Sequence, residues 1–457
     1  MRDPDAITRG LVEFRDSLAG DVIQPSDRDY DRARNCFNLL IDRKPAAIAR
    51  CAHTGDVAMA LAFAQEHDLE LAVRGGGHNP AGHCVVDGGL VIDLSRMRKV
   101  VVDPEVRLAR SEGGATWLDF DSATQIHGLV TPGGVVGSTG VAGLALGGGI
   151  GHLTAQYGFT CDNLVAAELV TPDGEVIDVS GEDTAELLWG LRGGGGNFGV
   201  ATRLTFALHP LRTVVGGRLD FEGDGVRKAL RTFRDVDALA RDDLSCQAQL
   251  SVGQGLTPAL TVAPCYTGAK DDPEELRALR SAPGSVGDGV RRHGFLDQQR
   301  VFDPGYGVDR NYWKGHFVHE LTDELIDLLI ERMAVLGRPP GAILIESLRG
   351  APKRIDPHQA ALGYRAAAFN ISVMASWTDS ALDDEHIAWA RETAAAIEPW
   401  SISGGYANYM QADEPLERVR AAFGTESFDR LRALKSRYDP ANVLHRNQNI
   451  PPLPADN

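Results

Sequence analysis

A chain of 457 residues exceeds what one hydrophobic core usually sustains, so two domains are expected. With 43% hydrophobic and 24% charged residues it lies among ordinary globular proteins, far from disordered compositions. A formal net charge of −17 without a long Lys/Arg run argues against nucleic acid and an anionic membrane, leaving a diffusible small molecule as the expected partner.

Nothing approaches the roughly 18 apolar residues of a membrane span, and Met1-Arg2-Asp3-Pro4-Asp5 lacks a signal-peptide start. The cysteines (Cys36, Cys51, Cys84, Cys161, Cys246 and Cys265) form no Cys-x-x-Cys pair. Reduced thiols in a cytoplasmic protein are therefore expected. No His/Asp/Glu cluster has metal-ligand spacing, so no metal is expected.

In chain order, residues 56–68 predict a helix with Val57, Ala60, Leu61 and Ala64 on one face. Strands are predicted at 71–74, 90–94 and 99–102, and a helix capped by Thr116 runs towards Gly128. Two strands joined by the turn Pro172-Asp173-Gly174 fill 163–179, a helix fills 184–191, and a strand fills 200–208. Beyond Pro210 the long glycine runs end. Residues 244–252 and 259–266 alternate like antiparallel strands with one exposed side, and 323–336 and 384–397 predict amphipathic helices. The domain boundary is expected at 205–215, and 428–450 begins as a helix and ends irregularly around Pro440.

Two glycine-dense loops mark the first half. Arg74-Gly75-Gly76-Gly77-His78-Asn79 follows a predicted strand. The second, Gly133-Gly134-Val135-Val136-Gly137-Ser138-Thr139-Gly140, continues into Gly147-Gly148-Gly149-Ile150-Gly151. Glycine lets backbone N–H groups approach a ligand, and successive N–H groups form a nest suited to a pyrophosphate. A dinucleotide is the expected ligand. The run Gly194-x-Gly196-x-x-Gly199 follows a helix and precedes a strand, the reverse of a Rossmann fingerprint, so it is expected to be a loop. No Gly-Lys pair exists for a Walker A motif.

These loops occur in order with Gly143-Leu144-Ala145-Leu146-Gly147, Tyr157-Gly158-Phe159-Thr160-Cys161-Asp162-Asn163-Leu164, Arg192-Gly193-Gly194-Gly195-Gly196-Asn197-Phe198-Gly199-Val200, Tyr438-Asp439-Pro440-Ala441-Asn442-Val443 and Asn447-Gln448-Asn449-Ile450. The ordered set resembles the berberine bridge enzyme-like flavoproteins of the vanillyl-alcohol-oxidase (PCMH-type FAD) superfamily, from about Asn35 to Ile450.

The resemblance implies a two-domain α+β fold. Residues 1–208 and the tail from 412 to 457 would bind FAD, and an antiparallel sheet covered by helices in 209–411 would carry the substrate site. It also implies a covalent bond from His78 to the flavin. Val136 stands where doubly linked relatives have a second, cysteine anchor, and Leu144 stands where they have a histidine, so one link is expected. FAD contacts are expected from Arg74, Gly75, Gly76, Gly77, His78, Asn79, Gly82, Pro132, Gly133, Gly137, Ser138, Thr139, Gly140, Gly143, Gly148, Gly151, Val200, Asn447 and Asn449. Thr139, close to valine in size, occupies the oxygen-access position and favours an oxidase.

In Tyr406-Ala407-Asn408-Tyr409, placed on the last strand of the second domain, Tyr409 is the expected base and Tyr406 a site residue. The expected reaction is oxidation of a small alcohol, sugar or amine with O2 reduced to H2O2. A flavin dehydrogenase and a non-catalytic flavin protein stay as alternatives, and the oligomeric state is left open. Tyr312-Trp313-Lys314, His316, Tyr364-Arg365 and Trp377 are expected to pack, and His127, His152 and His209 to be structural or peripheral.

Overall fold

The computed structural model describes residues 4–239, 242–303, 309–402 and 404–454, with side chains from residue 10 except at 254. Four short strands open the fold: β1 (Asp21–Ile23), β2 (Ala47–Arg50), β3 (Leu71–Arg74) and β4 (Leu90–Asp93), in the order β1-β2-β4-β3. β2, β4 and β3 are parallel, and β4 is buried along its whole length, as expected where both faces are covered. The helix Thr54–Glu66 crosses from β2 to β3 and packs Val57, Ala60, Leu61 and Ala64 against them, the face its spacing predicts.

A second, antiparallel sheet holds β5 (Val100–Asp103), β6 (Leu108–Glu112), β7 (Leu164–Val170), β8 (Val176–Val179) and β9 (Val200–Ala207), ordered β5-β6-β9-β7-β8. Thr116 caps the helix Trp117–Gln125 through a reciprocal bond with Asp119, which satisfies two otherwise orphaned N–H groups. That helix, Ala185–Leu191 and the C-terminal helix Thr425–Tyr438 bury Trp117, Phe120, Leu191, Leu431 and Leu434 over this sheet.

The third sheet has nine strands: β10 (Thr213–Gly216), β11 (Leu219–Glu222), β12 (Leu244–Val252), β13 (Pro258–Tyr266), β14 (Ser285–Asp288), β15 (Arg291–Gly294), β16 (Arg310–Val318), β17 (Gly341–Ser347) and β18 (Phe369–Trp377). Its main path runs β14-β11-β13-β12-β17-β18-β16, all antiparallel. One face is apolar. Ala248, Leu250, Ile343, Ile345, Ile371 and Val373 pack beneath the helices Val226–Ala238, Asp323–Met333 and Asp383–Ile397. The alternate positions are polar, and the alternation predicts that they face water. They do not: Ser245, Gln247, Glu346, Asn370 and Ser372 are buried. This face is turned to the first domain, so the alternation marks an interface. The expected α+β, two-domain class describes the molecule.

Two local expectations are corrected. The passage 133–151 contains a helix, Val141–Leu146, because Val141, Ala142, Ala145 and Leu146 form an apolar face that is buried. Tyr406-Ala407-Asn408-Tyr409 is not a strand but a 3₁₀ turn over Ala407–Tyr409, pinned by Asn408 Nδ2 donating to the Leu144 carbonyl at 3.0 Å. The last strand of the sheet in sequence is β18.

The Tyr438-Asp439-Pro440 motif has a structural explanation. Asp439 accepts from the N–H groups of Val443 (2.8 Å) and Leu444 (2.9 Å) and pairs with Lys435 Nζ at 2.6 Å. Lys435 also donates to the carbonyls of Asn197 (2.9 Å) and Leu444 (3.0 Å), tying the C-terminal turn to the glycine loop. Both charges are buried, and burial pulls the lysine's pKa down. Lys435→Met strands the carboxylate and is expected to cost about 3–5 kcal/mol in chemical denaturation.

Candidate active site

Between the domains lies a cavity of about 290 Å³ walled largely by glycine loops, Gly75–Gly77, Gly140–Gly143 and Gly193–Gly196 among them. Among the described residues, no N–H from Gly75 to Asn79 enters a backbone hydrogen bond, so this turn presents a row of donors. Gly77 takes φ +71°, open to glycine at little cost. Gly76 and Gly140 sit back to back, and a Cβ on either would overlap the other's backbone. Gly76→Ala is expected to separate the two loops and give protein purified with little or no bound flavin, read by visible absorbance.

His78 lies at this wall. Its Nε2 is 2.9 Å from Ser138 Oγ, its Nδ1 is 3.4 Å from Thr139 Oγ1, and Phe37 stacks on the ring at 4.8 Å. Burial pushes its pKa down to about 4, against a smaller opposing pull from Asp303, so the imidazole is neutral near pH 7. Val136 lines the same cavity. Cys161 is buried outside the lining, whereas Cys84 belongs to it.

Trp313, Tyr406 and Tyr409 close the cavity from the second domain. Tyr409 stands edge-on to Trp313 at 5.4 Å and to Tyr406 at 4.7 Å. The Tyr406 hydroxyl accepts from Gly149 N–H (3.0 Å) and Asn408 Nδ2 (2.8 Å). Burial first, then nearby Glu346, raises its pKa well above that of a free phenol, which suits a strut holding the Gly147–Gly149 turn. Glu346, a fully buried carboxyl on β17, accepts from Asn370 Nδ2 at 2.7 Å and lies within electrostatic reach of Tyr409. Burial pushes Glu346 up to about 7, with Asn370 and Tyr409 pulling the other way. A carboxyl poised near neutrality beside a cavity is a candidate proton acceptor. A second cavity of about 300 Å³ shares Trp313 and is bounded by Phe37, Phe302, Met374, Gln249 and Arg218.

Of the residues expected at the site, Gly75, Gly76, Gly77, His78, Asn79, Thr139, Gly140, Gly143, Val200, Tyr406, Tyr409 and Asn447 line the first cavity. Ser138 stands one step back, holding His78. Outside the lining are Arg74, Gly82, Pro132, Gly133, Gly137, Gly148, Gly151 and Asn449. Strand alternation turns Leu71 and Val73 inward and Arg74 behind the loop, where its Nη1 donates to the Asn35 carbonyl at 2.9 Å. Gly82 abuts Ile41, Gly133 abuts Trp117, Gly137 abuts Asp303, Gly148 abuts Tyr364, and Gly151 abuts the Gly133 carbonyl. Glu346, Trp313 and the Gly193–Gly196 loop join the site without having been among the expected site residues.

The expected packing residues hold the domains together. Arg365 forms a buried pair with Asp162, Tyr364 meets Phe159 edge-on at 5.3 Å, and Lys314 pairs with Asp413 and Glu414 of the tail.

Two family descriptions match: an FAD binding domain over residues 45–180, and a berberine and berberine-like segment over 405–451. The (R)-6-hydroxynicotine oxidase of Paenarthrobacter nicotinovorans is 31% identical, over 95% of this chain and 97% of that protein. The chain belongs to the berberine bridge enzyme-like FAD-linked oxidoreductases. The crystal structure of 6-hydroxy-D-nicotine oxidase from Arthrobacter nicotinovorans is similar throughout, with TM-score 0.86, 29% identity and coverage of 95% of this chain and 98% of that one. Berberine bridge enzyme, solved with (S)-reticuline, shares the fold at 19% identity and TM-score 0.85, covering 99% and 100% of the two chains. The residues present suit the family's FAD: a row of N–H donors and glycines too close-packed for a Cβ wall the cavity, and a neutral imidazole lines it. Among the described residues no helix is long and apolar enough to cross a membrane.

Proposed function

We propose that this family member is an oxidase that removes a hydride and a proton from a small alcohol, sugar or amine, with O2 reduced to H2O2. In this reading residues 1–208 and 412–457 hold FAD through one covalent bond from His78, and 209–411 present the substrate. The observation that supports it is a fully buried carboxyl, Glu346, set in the sheet beside Tyr409, which lines the same cavity as His78.

Bound FAD supplies the two-electron acceptor that no side chain can provide. Tyr409, at the cavity wall, accepts the proton of the substrate's hydroxyl or amine while passing its own to Glu346, so the phenol stays neutral and the carboxylate is consumed. Tyr406, with its hydroxyl held by Gly149 and Asn408, fixes the edge against which Tyr409 packs. His78, held by Ser138, Thr139 and Phe37, anchors the cofactor. The oxidase name of the Paenarthrobacter relative supports O2 as acceptor. A cytoplasmic setting is part of the reading, because all six cysteines are free and buried.

Anaerobically reduced protein mixed with aerated buffer tests the assignment. Reoxidation at a rate proportional to O2, with one peroxide per flavin, is expected. Slow reoxidation would assign the electrons to another acceptor.

A further inference from the structure

The imidazole of His78 is caged by groups that the second domain holds in place. Phe37, stacked on the ring, meets Trp313 of β16 edge-on at 5.7 Å. Its neighbour Asn38 exchanges two hydrogen bonds with the Asn311 backbone, each 2.7 Å, and donates to the carbonyl of Pro80, just beyond His78. Val135 and Val136 pack on Ala263 and Phe302.

The loop that carries Ser138 and Thr139 is held from both sides. Its carbonyls are taken up within the first domain: Gly137 accepts from the Leu118 N–H at 2.8 Å, and Thr139 from the Trp117 N–H at 2.9 Å. Its Gly137 N–H reaches the other way. Among the described residues no backbone carbonyl accepts from that group, and its acceptor is Asp303 Oδ1 at 2.7 Å. Asp303 stands in the turn after the second-domain helix Phe295–Gln299. The distance is that of a backbone N–H donated to a charged carboxylate. Glycine admits this approach, because a Cβ at 137 would lie 3.1 Å from the other carboxylate oxygen. The next residue is Ser138, whose Oγ is 2.9 Å from His78 Nε2. Carboxylate, loop and imidazole thus form one line of contacts from the second domain to the ring.

Folding makes little use of this carboxylate. Its side chain is 26% exposed, and its ion pair with Arg300, at 3.3 Å, is a surface pair of small weight. Its strongest contact is the one that fixes the loop beside His78.

We propose that Asp303 is a positioning residue for attachment of the flavin: it holds the Gly137–Thr139 loop so that His78 faces the cavity, and it makes the covalent bond depend on a contact between the domains. The inference rests on the reading above that His78 carries the flavin. In that attachment the imidazole gives up an N–H and the flavin methyl group a C–H, and one C–N bond forms. The two hydrogens and two electrons released reduce the flavin, and O2 reoxidises it with release of H2O2. Such a step needs the reacting atoms held at about 3–3.5 Å, so a ring left free to turn reacts slowly.

The test uses full-length chains translated in vitro without flavin and then mixed with FAD in air. Flavin fluorescence that survives acid and a denaturing gel reads the bond. Wild type and Asp303→Asn, whose amide oxygen still accepts from Gly137, are expected to form it at rates within about threefold of each other. Asp303→Ala is expected to be about tenfold slower, the rate equivalent of one lost hydrogen bond. FAD retained through gel filtration shows that a variant has folded. Asp303→Leu, similar in outline but without an acceptor, serves if the alanine chain has not. Attachment at the wild-type rate in the apolar variants, or an asparagine variant as slow as they are, would overturn the assignment. A wild type with no acid-stable flavin would instead sink the covalent reading, and this inference with it.

Discussion

Alanine at position 78 will give protein whose flavin is released by acid precipitation, while the wild-type pellet stays yellow. Bond formation at an imidazole nitrogen needs an unprotonated ring. Burial supplies one by pushing the His78 pKa down to about 4. Ser138 and Thr139 hold the two ring nitrogens and Phe37 stacks on the plane, so the ring has little freedom to turn from the cavity. The lining contains one thiol that could compete. Its neighbour Cys36, together with burial, raises the Cys84 pKa well above the ordinary value. It remains a thiol, and the thiolate is the nucleophile. Val136 offers no nucleophile at all. One link is therefore expected, and its loss should be complete in His78→Ala. Colour retained in the acid pellet of that variant would place the bond elsewhere.

The first domain was legible because its ligand-facing parts are backbone. A loop that must bring N–H groups to a ligand and pack against another loop needs glycine, as at Gly76 and Gly140, and runs of glycine are visible in a sequence. The Thr116 cap and the helix over 54–66 were legible for similarly local reasons. The Gly193–Gly196 loop carried the same signal, but its helix-to-strand context argued only against a Rossmann site and drew attention from its place at the cavity.

The second domain was harder because its site is made of side chains on strands far apart in sequence. Glu346 and Asn370 become neighbours only through the register of β17 and β18. Alternation in 244–252 was legible, but period two says only that two faces differ, not what covers the polar one. Glu346 carried a usable clue: a lone carboxylate ending the apolar run Ala342-Ile343-Leu344-Ile345. Tyr406 and Tyr409 were found by resemblance, and the structure distinguishes them. One hydroxyl is occupied by two anchoring donors, and the other ring stands beside a titratable carboxyl.

Glu346→Gln keeps the shape and the Asn370 contact and removes the proton acceptor. Turnover at neutral pH is expected to fall by about 10²–10⁴, the usual contribution of a general base, with the flavin spectrum and the covalent bond unchanged. The wild-type rate should rise with pH through an apparent pKa near 7, because only the carboxylate can take the proton and burial holds the carboxyl at about 7. The variant should lose that limb, a change that mere disruption of packing would not produce. Stability should move the other way. The folded carboxyl holds its proton to about 7 against an ordinary value of 4.5, so the native state binds the extra proton between those limits. Wild-type stability therefore declines as pH rises through that window, the charged form being the costly one when buried. Glutamine never ionises. Glu346→Gln should thus melt close to wild type near pH 4 and above it at pH 8, as read by calorimetry. A wild-type acid limb that persists in the glutamine variant would move the proton acceptor to another group, and Tyr409 would have to work without a buried carboxylate behind it.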